Sequence, residues 1–169
     1  MVKDKRHTLD YPLSNFDLHE AIQMLNDKAN IKNDDQIKPN TPIEQIFNNK
    51  GHCILYHKWK GEKVGHWYTC LRTPDEVFVF DSLANPIDKL CKNMIPFLKN
   101  NGIKKIVVNK KKFQNTQKDN NDTAVCGRYG LLLYLLHKLN FSIKDIYKFL
   151  EDAKKKFGGY DNAILSLTS

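Results

Sequence analysis

The sequence contains no long apolar run and no apolar segment behind its charged N-terminus. Its fully apolar stretches are only a few residues long, whereas a membrane-spanning helix needs about 20. The sequence therefore predicts neither a membrane span nor a secretory signal, and we expect a reducing compartment. The four cysteines are accordingly predicted to be free thiols: Cys53, Cys70, Cys91 and Cys126.

Arginine is also scarce, and lysine supplies most of the positive charge. Of the 27 basic residues 24 are lysine, and the balance against 19 acidic residues is +8. A surplus of this size creates a positive field that attracts acidic partners such as DNA. Specific readers of nucleic acid usually depend on arginine, so the composition predicts DNA binding only as an accessory property.

The order of the apolar segments predicts an α+β domain. Because no linker or repeat interrupts the chain, we expect one domain over residues 1–169. Residues 1–50 predict two short helices separated by a polar loop over 26–40: one is capped at Ser14-Asn15, and the other has Thr41 as its cap and Pro42 at its first position. Apolar segments at 53–59, 64–71 and 77–80, divided by turn residues, predict an antiparallel meander, and 103–108 predicts a fourth strand.

Helices complete the predicted core over residues 51–140. One begins at Asn85-Pro86 and is expected to kink or split at Pro96. Another begins at Cys126 and is apolar nearly all round, so it should be buried against the sheet. Residues 141–169 predict a C-terminal helix capped by Ser142. The expected fold is a mostly antiparallel sheet of about four to five strands, packed against the helix that begins at Cys126.

The position of Cys126 favours a nucleophile. A thiol at the first residue of a helix lies in the positive field of the helix dipole, which stabilises the thiolate. Gly127 allows close approach of another chain, and the amide of Cys126 is free of helix pairing, as an oxyanion site requires. The alternative is a buried cysteine that only fills space.

His66 and Asp81 are the candidates for a base and its partner. His66 lies on the second predicted strand, beside Trp67, which can wall the site and hold the imidazole ring. Asp81 directly follows the next strand, so the two side chains should meet at the sheet edge. Taken singly, His66 could be structural and Asp81 could merely cap a turn.

The ordered set resembles a known family of proteases. Gly65-His66-Trp67, then Phe80-Asp81-Ser82, then a glutamine before Cys126-Gly127-Arg128-Tyr129, is similar to the adenovirus maturation protease and its relatives. Those relatives occur in virophages, Polinton-type elements and large DNA viruses, and more distantly include SUMO-deconjugating peptidases. The resemblance spans about residues 52 to 140 and implies a papain-like, adenain-like fold.

The resemblance also implies a function and a fourth site residue. It implies a cysteine endopeptidase that uses Cys126, His66 and Asp81 to process capsid or other virion precursors. A glutamine side chain would complete the oxyanion hole; Gln114 is favoured and Gln117 is the alternative. No metal or organic cofactor is required, although DNA or a short peptide could activate the enzyme. The implied location is the virion and the cytoplasm, virus factory or nucleus of a host cell.

Three other interpretations remain open. The chain could be a peptidase for SUMO or ubiquitin-like proteins, since the named residues do not separate that activity from virion maturation. It could be a basic binding module without catalysis. A zinc hairpin is the third interpretation, because two pairs of candidate ligands each lie four residues apart on successive strands: Cys53 with His57, and His66 with Cys70.

Overall fold

The centre of the fold is a five-stranded sheet. A computed structural model describes residues 15–24, 30–62, 65–114 and 125–168. The strands lie across the sheet in chain order: β1 (Asn30–Asn33), β2 (His52–His57), β3 (His66–Arg72), β4 (Glu76–Phe80) and β5 (Lys105–Val108). The antiparallel meander of β2, β3 and β4 is confirmed, whereas β1 and β5 each pair in parallel with their neighbour. The α+β class is therefore confirmed, but the sheet is mixed rather than mostly antiparallel.

Helices cover the sheet in the described part of the chain. They are α1 (Asn15–Met24), α2 (Ile87–Leu90), α3 (Met94–Asn100), α4 (Cys126–Lys138), α5 (Ile143–Phe157) and α6 (Tyr160–Leu167). Helix α4 begins at the predicted residue. The predicted cap of α5 is confirmed as a capping box, in which Ser142 and Asp145 each bond the other's backbone N–H. Helix α6 was not predicted, so the C-terminal part holds two helices.

The predicted loop over residues 26–40 is wrong where it is described, because β1 lies within it. Strand β1 pairs along its four residues with β2, and its Ile31 lies opposite Ile54. A 3₁₀ turn, Asp34–Gln36, follows directly. The strand escaped prediction because it has a single apolar residue and takes its hydrogen bonds from a distant neighbour.

Two proline-based expectations are also corrected. The helix after Asn85-Pro86 does split, but at residues 91–93, before Pro96. Pro96 is the third residue of α3, where a missing N–H costs nothing because first-turn N–H groups have no intrahelical partner. At Pro42 the expected helix is only the 3₁₀ turn Ile43–Gln45. Thr41 accepts a bond from the Lys38 N–H (2.9 Å) rather than capping that turn.

The alternation of side chains along the strands gives the sheet two buried faces. One face packs against α2 and α3 through residues that include Cys53, Leu55, Tyr68, Cys70 and Val79. The opposite face packs against α4 and α5 through Leu71, Phe78 and Phe80. A third cluster joins α1 to α4 and includes Trp67. Helix α4 thus lies on one face while its first residue reaches the sheet end where β3 begins.

Candidate active site

His66 and Asp81 meet at one end of the sheet. His66 is the first residue of β3 and Asp81 directly follows β4, and these neighbouring strands are antiparallel, so both residues lie at the same end. The Nε2 atom of His66 forms a hydrogen-bonded ion pair with Oδ1 of Asp81. Both residues are buried, with Asp81 0% exposed, so water does not compete for this bond.

Asp81 also caps the turn that follows it, which was the alternative role considered for this residue in the sequence analysis. Its Oδ1 accepts from the Leu83 N–H at 3.1 Å, and its Oδ2 accepts from the backbone and side-chain nitrogens of Asn85, both at 2.8 Å. Ala84 in this turn has a positive φ of 55°. The turn fixes the direction of the carboxylate, so capping and orienting His66 are compatible roles.

Asn109, which sequence reasoning missed, joins the loop after β5 to this turn. Its Oδ1 accepts from the Asp81 N–H at 2.9 Å. Its Nδ2 donates to the Asp81 carbonyl at 2.7 Å and to the Lys111 carbonyl at 2.9 Å. Because one buried side chain bonds both the N–H and the C=O of Asp81, the backbone that carries the carboxylate is held in a fixed position. The signal in the sequence was a polar residue directly after the apolar residues of a predicted strand, 106–108.

Gln114 lies in the same region and its amide has a defined orientation. Its backbone N–H donates to the Ser82 carbonyl at 2.9 Å, and the Ser82 hydroxyl donates to Gln114 Oε1 at 2.8 Å. The amide oxygen therefore faces Ser82, and the NH₂ end is turned away from it. The neighbouring Phe113 packs in the same cluster as Val125, which precedes Cys126. Gln117, the alternative candidate, lies outside the described residues.

Cys126 is half-buried at the first position of α4. Val125 precedes the helix and, having no polar side chain, cannot cap it, which leaves first-turn N–H groups to other acceptors. The Cys126 side chain packs beside the cluster that contains Trp67. It also lies close enough to the His66 ring to raise the pKa of that ring. Since His66 bonds Asp81 through Nε2, its Nδ1 is the ring nitrogen left for Cys126.

The electrostatics favour a protonated His66 between its two partners. Burial by itself lowers the pKa of His66, but the hydrogen bonds to Asp81 and Cys126, and the charges of those groups, raise it to about 9. Burial raises the pKa of Asp81, and the bond to His66 outweighs it, so that this pKa lies below its usual value. The site therefore favours an imidazolium held between a carboxylate and a sulfur.

The aromatic contact to His66 differs from the predicted one. Trp67 lies one residue further along β3 and so points to the opposite face, where its ring packs on Tyr56 at 4.7 Å. Trp67 thus belongs to the wall beside Cys126, as expected. The ring stacked on His66 is Trp59, with centroids 5.9 Å apart and planes inclined by 26°. Sequence reasoning missed Trp59 because its contact with His66 joins the residues just after β2 to the first residue of β3, which are seven positions apart in the sequence.

The structure does not gather the ligands that the zinc interpretation needs. Cys53 lies opposite Cys70 and His57 opposite His66, but four residues separate the two pairs along each strand, or about 13 Å. One zinc ion with bonds of about 2.0–2.3 Å cannot span that gap. His57 Nδ1 instead pairs with Asp34 Oδ2 at 2.8 Å, a second histidine–aspartate pair that was not predicted. Within the described ranges no group of three or more His, Cys, Asp or Glu residues is placed to hold a metal ion.

Comparison with known proteins gives no family assignment. No protein-family model matches the chain, and no curated protein sequence matches it. The functional inference therefore depends on the residues described above and on the chemistry that their arrangement permits.

Proposed function

We propose that the chain is a cysteine endopeptidase in which Cys126 is the nucleophile, His66 the general base and Asp81 its orienting partner. The observation that carries the proposal is the position of His66, which is bonded to Asp81 and lies close enough to Cys126 for that side chain to raise its pKa. A thiol at a helix N-terminus, a buried imidazole and a carboxylate in this sequence of contacts have the arrangement that nucleophilic catalysis needs. We also propose that the fold belongs to the papain-like, adenain-like class.

The proposed reaction proceeds through an acyl-enzyme. His66 accepts the proton of the Cys126 thiol, and the thiolate attacks the carbonyl carbon of a peptide bond. The amide of Cys126 and the side-chain NH₂ of Gln114 donate hydrogen bonds to the resulting oxyanion. The C–N bond then breaks as His66 gives its proton to the leaving amine. Water, deprotonated by His66, hydrolyses the thioester and restores the thiol.

The orientation of the Gln114 amide supports its part in this reaction. An oxyanion hole needs hydrogen-bond donors. Because the Ser82 hydroxyl donates to Oε1 of Gln114, the oxygen of the amide faces Ser82 and the NH₂ group is directed elsewhere. Ser82 is itself buried and directly follows Asp81, so one turn holds both the carboxylate and the partner of Gln114. A single rigid segment would thereby align the base and the oxyanion donor.

The proposed substrates are virion precursor proteins, such as capsid polypeptides processed during maturation in an infected cell or a virion. The resemblance of residues 52–140 to adenovirus-type proteases supports this choice. Removal of SUMO or ubiquitin-like proteins is the alternative, since it requires the same catalytic groups. DNA is proposed as an accessory partner through the lysine-rich surface. In the described part of the chain, no helix is long and apolar enough to cross a bilayer.

The first test is the reaction of Cys126 with iodoacetamide as a function of pH, with mass spectrometry locating the label. We expect Cys126 to react at pH 6 before the other three cysteines, because an adjacent imidazolium favours its thiolate. Cys53 and Cys70 are 0% exposed, and burial holds the pKa of Cys91 at about 11. The variant His66→Ala should remove the advantage of Cys126. If Cys126 of the native chain reacts no faster than an unperturbed thiol, the proposal is wrong.

Substrate class is then tested with two kinds of protein. Precursor capsid proteins from the same genome and a SUMO-like fusion are incubated with the native chain and with Cys126→Ser. Cleavage of the precursors alone supports the maturation role. Cleavage of the fusion after its terminal Gly-Gly supports the deconjugating alternative. If Cys126 is activated but the chain cleaves neither kind of protein, both substrate proposals are wrong. The proposal that Cys126 is a nucleophile would not be affected by that result.

A further inference from the structure

Trp59 contacts the His66 ring from the connection between β2 and β3. The two rings are stacked with an offset, at 5.9 Å between centroids and 26° between planes. Trp59 is half-buried and packs against the cluster on the α2–α3 face of the sheet. The indole therefore lies along one flat side of the imidazole, on the face of the sheet away from α4.

The bond from His66 to Asp81 does not by itself fix the imidazole plane. A single hydrogen bond at Nε2 anchors one corner of the ring, and the ring can still swing about that contact. Nδ1 must nevertheless remain directed at Cys126, because small misplacements of a catalytic group cost large factors in rate. A flat, rigid neighbour on one side of the ring removes much of this freedom.

Trp59 is itself held in place by a second histidine–aspartate pair. The His57 ring meets the indole edge-on, with centroids 4.7 Å apart and planes at 75°. His57 Nδ1 bonds Asp34 Oδ2 at 2.8 Å, and the Tyr68 hydroxyl donates to the same oxygen at 3.0 Å. Asp34 is buried. The position of the indole is thus fixed from the interior of the protein and not from the solvent side.

We infer that Trp59 is a positioning residue for the general base, and that the Asp34–His57 pair fixes Trp59 in its place. The inference rests on the proposed function, because positioning matters only if His66 activates Cys126. The indole face also carries negative electrostatic potential, which favours a cation stacked against it. Trp59 thereby acts on both the orientation and the charge of the imidazole, and the Asp34–His57 pair supports Trp59, although His57 also lies directly opposite His66 on the neighbouring strand.

The test compares Trp59→Ala and Trp59→Phe with the native chain and His66→Ala. Rate constants for iodoacetamide labelling of Cys126 are measured from pH 5 to pH 10. In Trp59→Ala we expect the rate at pH 6 to fall on the order of 10-fold, with the reactive limb moved to higher pH. Phenylalanine keeps a flat ring, so Trp59→Phe should recover most of the native rate. An alanine variant with the native pH profile would overturn the inference.

A second measurement does not depend on catalysis. The His66 ring protons are followed by NMR during a pH titration of Cys126→Ser, with and without Trp59→Ala. We expect loss of the indole to remove a ring-current shift and to lower the pKa of His66. Unchanged shifts and titration would contradict the inference. Thermal unfolding of each variant identifies any loss that merely reflects misfolding, and in that case Trp59→Phe supplies the comparison.

The two proposals fail in different ways. If native Cys126 has no advantage over the other thiols and His66→Ala changes nothing, the proposed function is wrong. If native Cys126 is activated and Trp59→Ala leaves it so, only the positioning inference is wrong. A variant of the supporting pair, His57→Phe, should cause a smaller loss than Trp59→Ala in the same labelling assay. A larger loss would contradict the order of support proposed here.

Discussion

At the residue scale, the two oxygens of Asp81 explain why a carboxylate is needed at this position. Oδ1 faces His66 Nε2 and the Leu83 N–H, and Oδ2 faces two N–H donors of Asn85. Every partner is a donor, so the site requires two acceptor atoms in a buried place. An amide has one acceptor and one donor, and either orientation would set an NH₂ group against other donors.

We therefore expect Asp81→Asn to reduce both stability and reactivity. The free energy of unfolding should fall by about 1–3 kcal/mol, because buried donors lose their acceptor. The pKa of His66 should fall from about 9, and Cys126 labelling at pH 6 should slow at least about tenfold. Urea unfolding, NMR titration and labelling measure the three effects. The control is Asp75→Asn, at an exposed turn position, and a native-like His66 titration in Asp81→Asn would contradict the expectation.

The same pair predicts how stability depends on pH. The folded-state pKa of His66, about 9, lies above its ordinary value of 6.5, so its contribution is complete below about pH 6.5 and disappears as the pH rises through 9. A difference of this size corresponds to about 3 kcal/mol. The pKa of Asp81 is lowered from 3.8, so its contribution is present above that pH and is lost in acid.

The measurement compares the native chain with His66→Gln by urea unfolding under reducing conditions. The difference in unfolding free energy should be greatest at about pH 5–6 and should shrink by pH 10. A difference that stays constant from pH 6 to pH 10 would show that His66 is not charged in the folded protein.

At the element scale, close packing of α4 on β3 brings Cys126 to the sheet end. A Cβ atom on Gly130 would lie 2.8 Å from Thr69 Oγ1 and 3.5 Å from Ile54 Cγ2. Glycine therefore permits the helix to approach the strand at this point. The Thr69 hydroxyl is buried and, within the described residues, has no hydrogen-bond partner, so it contributes volume rather than a bond.

This contact predicts a compensating pair of substitutions. Gly130→Ala should destabilise the fold by about 1–3 kcal/mol through overpacking, despite the higher helix propensity of alanine. Thr69→Ala removes the opposing atoms, and the double variant should regain most of that loss. Urea unfolding of all four proteins forms a double-mutant cycle, in which a coupling energy near zero would contradict close approach at this point.

Elements with a strong pattern were predictable and those defined by distant contacts were not. The meander and α4 were evident because apolar runs and turn residues marked them in the sequence. Strand β1 has one apolar residue and depends on β2 for its pairing. Helix α6 begins directly after Gly158-Gly159, beyond the helix that Ser142 was predicted to cap. Pro96 was misjudged because its effect depends on its position within α3 and not on its presence.

The residues of the candidate site also separate into those marked by a sequence pattern and those defined by distant contacts. His66, Asp81 and Cys126 could be named from the sequence because each lies at the boundary of a recognisable element. Asn109 and Trp59 could not be assigned roles, since their contacts cross between a loop and a neighbouring strand. The sequence suggested the three candidate catalytic groups, whereas the residues that contact and orient them became visible only in three dimensions.

At the scale of the whole molecule, two lysine triplets meet around Tyr160. Lys111 and Lys154 lie over its ring, with Nζ atoms 5.0 Å and 4.8 Å from the centroid. Lys111 also forms an ion pair with Glu151 of α5. The loop 110–112 and the end of α5 at 154–156 therefore form one surface, which we call the basic patch. Its lysines are exposed and belong to a chain of net charge +8.

If the basic patch binds DNA, its lysines should matter more than equal charge elsewhere. Changing Lys154, Lys155 and Lys156 to Gln lowers the net charge from +8 to +5, and so does the same change at exposed Lys89, Lys92 and Lys99. Fluorescence anisotropy with a labelled duplex, titrated at several salt concentrations, compares the two variants. In the patch variant the slope of log K against log[salt] should fall by about 2 to 3, as expected for three lost phosphate contacts.

The control should change far less, because long-range attraction is largely screened beyond about 10 Å at 0.1 M salt. Equal losses in both variants would mean that net charge alone attracts DNA and that the patch is not a binding site.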